Sequence, residues 1–382
     1  MSRFYQATLI LSALALLNAC SENPSLPLGQ ELPVSAQNDR NEAQVTRDIS
    51  NLLAGHLKEQ YKDEKFLRDT HPKDNGCIRG TFKAEQNLPP ALAQGVFSKN
   101  SEHPVWVRFS NSVEEITSDH ETDFRGLGMK LTNVHGPRQA LPGDEQHTQD
   151  FLFLGHDAFF AANPKEFFDF FDAAFNGSPI TFAITHPKGI WNIIQGRKTY
   201  KNPLDLPWNS VTPYAIGLAS QGENGQPTYP TVVRYALRSC IENNSKIPPE
   251  PSPDYLAMNL AQQLDKGEAC LDFMVQVQKD PGENPVENIL SGWDEEKSPF
   301  IKVARVTFPR QTFTSESQKE FCENISFNPW HARDVHRPLG GINRARKIVM
   351  KDISDLRLKE NGVERFEPNG HEDFNMKGHA HE

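Results

Sequence analysis

From residue 77 onward the chain alternates short apolar runs with turn residues. Residues 77–83, 105–110, 126–134 and 151–154 are rich in β-branched and aromatic side chains. Clusters of Gly, Pro, Asn and Asp separate them, which is the pattern of strands. The period then changes. Asn163 followed by Pro164 is a cap and first-turn pair, and Phe167, Phe168, Phe171 and Phe175 repeat at helical spacing until Gly177. This predicts an amphipathic helix with an aromatic face. Three further strand-like runs follow at 228–237, 271–279 and 301–309. A charged, periodic stretch at 342–360, ended by Asn361 and Gly362, predicts a helix of about five turns. Arg346, Met350 and Arg357 share one face of it. The expected class is α+β, an antiparallel β-barrel core with surrounding helices.

The N-terminus follows other rules. Arg3, an apolar run from Ala7 to Leu17, and then Asn18, Ala19 and Cys20 have the order of a secretory signal. The run is about eleven residues, too short to span a bilayer. Residues 1–19 are therefore expected to be a cleaved signal peptide, with Cys20 lipidated as in a bacterial lipoprotein. Ser21, with no Asp after the cysteine, points to the outer membrane. The alternative is an ordinary secretory signal that leaves Cys20 as a free thiol. Residues 20–45 are polar and rich in Pro and Ser, and are expected to be a flexible tether. A single folded unit is expected over 46–365. The tail, 366–382, carries His371, His379 and His381 without a fixed partner spacing and is expected to be disordered.

Forty Lys and Arg against 50 Asp and Glu give a net charge of −10. That argues against a nucleic-acid partner, since phosphate binding needs clustered positive charge. Beyond Cys20 the chain holds Cys77, Cys240, Cys270 and Cys322. Four cysteines in an oxidising compartment allow three pairings. Cys240 with Cys270 is favoured, because each sits at the end of a strand-like run; four free thiols remain the alternative. No CxxC, phosphate-cradling glycine loop, nucleophile elbow or i, i+4 histidine pair is present. His331 and His336 are five apart, which does not stack them on a helix, and are read as structural. What recurs is arginine inside or beside apolar runs, at Arg68, Arg108, Arg125 and Arg346. A buried arginine needs an internal carboxylate or an anionic ligand.

Taken as a set, several motifs carry a resemblance. RDTHPK at 68–73 with Gly76, Gly80, Thr81 and Phe82 is similar to the segment bearing the distal histidine of haem catalases. VRFS at 107–110, DFRG at 123–126 and residues 151–160 follow in that family's order. Then come DFMVQ at 272–276, Trp293, FNPW at 327–330 and the helix with Arg346. From about residue 60 to 361 the chain resembles the catalase superfamily. HRPLGGINR at 336–344 looks closer to its small bacterial catalase-like haem-binding branch.

The resemblance implies a β-barrel with helices around haem b and assigns roles position by position. His71 stands over the iron and moves peroxide's proton between its two oxygens. Ser110 orients that imidazole. Arg68, Arg108 and Arg357 hold the propionates. Phe159 and Phe167 wall the distal pocket and pack on the porphyrin. Arg346 and Asp352 keep their offsets around the proximal ligand, yet Met350 stands where the family has tyrosine. A neutral thioether favours ferrous iron, the opposite of what a phenolate does. Met350 is otherwise a plain core residue. The family's pocket asparagine falls near Gly155, His156 and Asp157, so its amide is lost unless His156 replaces it. Three readings follow. One is a catalase- or peroxidase-like oxidoreductase of the periplasm, lipid-anchored, consuming hydrogen peroxide or an organic hydroperoxide. The second is a haem-binding lipoprotein without turnover, and the third a scaffold that has lost haem.

Overall fold

The computed structural model describes residues 29–139, 141, 147–222, 226–242, 244–248 and 252–374. Cys20, the expected signal peptide at 1–19, His379 and His381 lie outside the described residues.

Eight strands close into an antiparallel barrel: β1 Asp74–Ala84, β2 Glu102–Asn111, β3 Arg125–Leu131, β4 Gln149–Leu154, β5 Trp208–Asn209, β6 Thr231–Ser239, β7 Ala269–Val277 and β8 Phe300–Phe308. The order β7-β8-β1-β2-β3-β4-β5-β6 returns to β7 through the pairing of Val233 with Val277 up to Ser239 with Leu271. Closure removes the free edges that an open sheet exposes. The expected strands are all present, within a few residues at each end.

Among the described residues eight helices surround the barrel: α1 Val34–Asp39, α2 Glu42–Gln60, α3 Pro164–Phe175, α4 Pro179–Thr185, α5 Pro187–Gly196, α6 Tyr255–Lys266, α7 Glu316–Asn324 and α8 Gly341–Glu360. The Asn163 side chain accepts the Glu166 amide at 3.1 Å, so it caps α3 as its sequence position predicts. At the end of α8 the Val363 amide reaches the Leu358 carbonyl and Gly362 takes a φ of 67°. That is the αL stop read from Asn361 and Gly362. No helix among the described residues is long and apolar enough to cross a membrane.

Strand alternation decides where the site lies. Val105, Val107 and Phe109 of β2, Leu127 and Met129 of β3, and Phe151 and Phe153 of β4 point into the barrel core. With a period of two, Arg108, Ser110, Gly126, Gly128 and Leu152 point outward. They face α2, α3 and α8 rather than solvent, so these strands are covered on both sides.

Two expectations about the ends change. From Gly29 the segment expected as a tether is docked. Glu31 is 6% exposed, lies 3.0 Å from Arg344 and 3.2 Å from Arg337, and accepts the Gly340 amide. Arg344 also pairs with Glu42 and Glu287, each at 2.9 Å. The polar composition is therefore balanced by an arginine some 300 positions away, a partner that no local window shows. At the other end, Glu367 reaches the buried Lys130 at 2.6 Å and Glu372 accepts the Trp106 indole at 2.9 Å. Phe366 and Phe374 pack on Phe321, so residues 366–374 are docked on the body of the fold.

Cys240 and Cys270 are disulfide-bonded, with Cα atoms 5.6 Å apart, as their strand-end positions favoured. Cys77 and Cys322 form a second bridge, Cα to Cα 6.1 Å, which ties β1 to α7.

Candidate functional site

Between the outer face of β2–β4 and the helices α2, α3 and α8 lies a cavity of about 710 Å³. That is within the range of small-molecule and cofactor sites. His71, Ser110, Arg68, Arg108, Phe159, Phe167, Arg346, Met350 and Arg357 all line it. Residues spread over nearly 290 positions therefore meet on one wall system.

The loop carrying His71 is fixed from both sides. Arg68 Nη2 donates to the carbonyls of Cys322, Glu323 and Ile325 at 3.1, 3.0 and 2.7 Å. Lys73, itself buried, bonds the carbonyls of Thr117 and Pro253 and pairs with Asp119 at 2.9 Å. Held between these anchors, His71 adopts a φ of 67°, a left-handed conformation unusual for a non-glycine residue and more so before a proline. Strain of this kind persists where the surroundings over-determine it, and it collects at functional sites.

His71 Nδ1 lies 3.0 Å from Ser110 Oγ, and Ser110 Oγ donates to the Gly126 carbonyl at 3.4 Å. With that hydroxyl proton committed, Ser110 accepts from Nδ1–H, which leaves Nε2 as the unprotonated nitrogen. Burial, then the Arg108 charge, push the imidazole down to about 3. It is therefore neutral throughout the physiological range. Gly126 makes room for the ring: a Cβ there would fall 2.4 Å from His71 Nδ1.

The arginines form the opposite kind of environment. Arg68, Arg108 and Arg357 converge on one carboxylate, Glu323, at 3.7, 3.7 and 3.3 Å. Among the described residues no other carboxylate lies within ion-pair reach of the three. Arg68 Nε, Arg108 Nε and Arg357 Nη2 are buried without a hydrogen-bond partner. Burial, then the Arg108 and Arg357 charges, hold the Arg68 guanidinium well below its ordinary value. Unsatisfied guanidinium forks around a shared acid are a site for a ligand that brings carboxylates.

Arg346 sits on α8 four residues before Met350. It donates to Thr212 Oγ1 at 3.2 Å and lies over the Phe159 ring at 5.8 Å. Phe159 and Phe167 are parallel, 6.1 Å apart, and present an aromatic wall. Arg125, singled out with these arginines, stands apart from the cavity. It is tied to the Asp119 and Glu121 carbonyls at 3.1 and 2.9 Å and to Asp123 at 3.7 Å. His156 does not supply the missing amide, since it lies outside the lining, 3.6 Å from Asp157. His336 accepts the Val96 amide in the barrel core and His331 is 3.0 Å from Asp150, so both are structural as read.

Sequence reading missed four contributors. Ile49 and Leu53 of α2 close the cavity, and their spacing of four was a usable helical signal. Glu323 gave none, and Gly126 was legible only as the end of the DFRG motif, because the roles of both depend on neighbours distant in sequence. Asp69 is a further cavity residue, 6% exposed and with Oδ1 unbonded. Burial, then Glu114, raise it to about 7. A carboxyl whose folded value is raised favours folding below its unfolded value, and this advantage is lost as pH rises from about 4 to about 7. Asp69→Asn is therefore expected to exceed the wild type in unfolding free energy by roughly 3–4 kcal/mol at about pH 8 and to match it near pH 4. Urea titrations at the two pH values check this. An equal offset at both would show that the carboxyl is not the cause.

No protein-family model and no curated protein matches the chain in sequence. Solved structures do match. A fungal catalase superposes with a TM-score of 0.61 at 16% identity, covering 79% of this chain and 62% of that one. Catalase A from Saccharomyces cerevisiae gives 0.60 at 15%, covering 84% and 69%. A bacterial catalase gives 0.57 at 16%, covering 88% and 64%. The chain thus spans a little under two thirds to just over two thirds of these proteins' length. With the closed eight-stranded barrel and the helices around it, the likeness shows that this chain has the catalase fold.

Proposed function

We infer that the cavity binds haem b and that the protein is a peroxide-metabolising oxidoreductase of the cell envelope. The observation that carries the reading is the placement of three arginines, Arg108 and Arg357 buried and Arg68 largely so, around one carboxylate, on the same cavity as a neutral histidine. Haem brings two propionates, which fit the unsatisfied Nε and Nη2 groups of Arg68, Arg108 and Arg357. Phe159 and Phe167 give the macrocycle an apolar face, and Met350 offers a thioether on the α8 side. No cluster of three or more His, Cys, Asp or Glu among the described residues could hold a bare metal ion. Iron would therefore need a macrocycle for its remaining ligands.

Bound there, haem would supply the redox iron that gives two electrons to the peroxide in O–O cleavage and regains them from a second peroxide or another reductant. The chain's own part is proton movement. His71 Nε2, kept neutral by burial, takes a proton from the peroxide oxygen nearer it and returns it to the departing oxygen. Ser110 holds the ring in that tautomer. Arg108, which lowers the basicity of His71, also favours rapid return of the proton. Hydrogen peroxide or an organic hydroperoxide fits a cavity of mixed polar and aromatic lining. Lipid anchoring through Cys20 would place the activity in the periplasm at the outer membrane.

His71→Ala should keep the Soret band of the haem-loaded protein while lowering peroxide consumption about 10²–10⁴-fold. Absorption spectroscopy and peroxide decay on the same sample test both halves. Absence of a Soret band in the wild type after loading with excess haem would overturn the reading. Two observations favour a second reading, haem binding without turnover: the cavity residue at the position where the resemblance implies a proximal tyrosine is Met350, and Gly155, outside the cavity lining, has Leu206 only 3.0 Å from where a Cβ would be. Under that reading the band persists and His71→Ala changes nothing.

A further inference from the structure

Among the described residues, large apolar side chains on the surface are scattered singly, with one exception. Ile180 (71% exposed), Ile184 (73%), Trp191 (60%) and Ile194 (59%) fall within fifteen residues, on α4 and α5. Spacings of four and three put each pair on one face of its helix. Their outward orientation is held from the other side. Asn192 donates to the Phe159 and Leu290 carbonyls at 2.6 and 2.9 Å. Gly189 and Gly196 lie so close to Phe160 and Phe124 that neither admits a Cβ. The apolar face therefore points away from the body by construction.

We propose that the α4–α5 pair is a contact surface for a bilayer of anionic phospholipid. Its charge fits that occupant. From Gly177 to Leu204 the sequence has no Asp or Glu, in a chain whose net charge is −10. The same stretch carries Lys188, Arg197, Lys198 and Lys201, all exposed. None of the four is within ion-pair distance of a carboxylate among the described residues. Tryptophan and isoleucine flanked by unpaired cations is the composition of interfacial helices.

The attachment of the N-terminal segment agrees. The Leu32 amide is bound by Glu287 at 2.9 Å, whereas α5 is bound through Asn192 to Leu290 and Lys188 to Ser291. Both therefore hang from one short loop. Cys20 precedes Gly29 by nine residues, an extended reach of about 30 Å. A lipid on Cys20 would hold this side of the domain against the membrane. Ile193 and Arg197 also line the cavity, so the surface adjoins its mouth.

The test needs neither haem nor activity, so it stands apart from the peroxidase reading. Trp191 is the exposed member of five tryptophans, the others being 1–4% exposed, and it reports contact by itself. The chain from Ser21 onward, which carries no lipid, is mixed with vesicles of phosphatidylethanolamine and phosphatidylglycerol, or of phosphatidylcholine alone. With the anionic vesicles we expect co-flotation, a blue shift of emission, and quenching by acyl-brominated lipid. The double variant Ile184→Ser, Ile194→Ser should weaken flotation at least roughly tenfold. Trp191→Phe should float but lose the emission change. The proposal fails if emission is unchanged by either vesicle, or if Trp191 stays open to acrylamide while the protein floats, which would be ionic adsorption alone. It also fails if Trp191 is shielded without lipid and sedimentation shows a dimer that the double variant breaks, since the occupant is then a second copy.

Discussion

Glu323→Gln should destabilise the haem-free protein by roughly 3–5 kcal/mol, and haem should reduce that loss. The carboxylate lies 3.3–3.7 Å from three guanidiniums, two of them 4% exposed or less. Removing the shared acid leaves like charges facing each other away from water, which costs more than an intact pair contributes. Geometry alone would not be lost. Arg68 remains bound to the Cys322, Glu323 and Ile325 carbonyls, and the Cys77–Cys322 bridge still holds that segment against β1. The deficit is thus electrostatic, and an added dianion can correct it. In thermal unfolding we expect a fall in Tm on the order of 10 °C for the haem-free variant. With haem the gap to the wild type should narrow. The same fall with and without haem would mean that the arginines serve the fold only and receive no carboxylates.

That arginine cluster also shows what could be read from sequence. Arginine amid apolar strand residues, as in VRFS at 107–110, is legible because period-two alternation puts Arg108 and Ser110 on the face opposite Val107 and Phe109. The Phe-rich α3, with its Asn163 cap, and the α8 stop at Asn361 and Gly362 were equally local signals. Motifs in register then carried the fold, although identity to the solved catalases is only 15–16%. What stayed hidden depends on distant partners. Glu31 and Glu42 fold the expected tether by reaching Arg344, and Glu367 orders the start of the tail by reaching Lys130. None of these three acids differs locally from a solvated one. The positive φ of His71 was hidden for the same reason, since its neighbours impose it.

Met350→Tyr should have the largest effect on chemistry, a rise in peroxide consumption of at least roughly tenfold over the wild type. Position 350 lines a cavity rather than a packed core, so a larger ring can enter without overpacking. Four residues earlier on the same helical face, Arg346 is half-buried. Among the described residues it has hydroxyl and amide partners, Thr212 at 3.2 Å and Asn343 at 3.5 Å, and no carboxylate within ion-pair reach. Burial lowers its guanidinium below the ordinary value, so an adjacent anion would restore it. A phenol at 350 beside that cation would ionise more readily than a free tyrosine. The native thioether cannot supply such a charge. A phenolate favours ferric iron, which is the state that peroxide chemistry starts from. The haem-loaded variant should therefore show a shifted Soret band and a phenolate charge-transfer absorption, independent of any assay. Arg346→Leu in the same background should remove both the band and the gain in rate. If Met350→Tyr alters neither spectrum nor rate, residue 350 does not face the iron, and the native methionine belongs to the cavity wall alone.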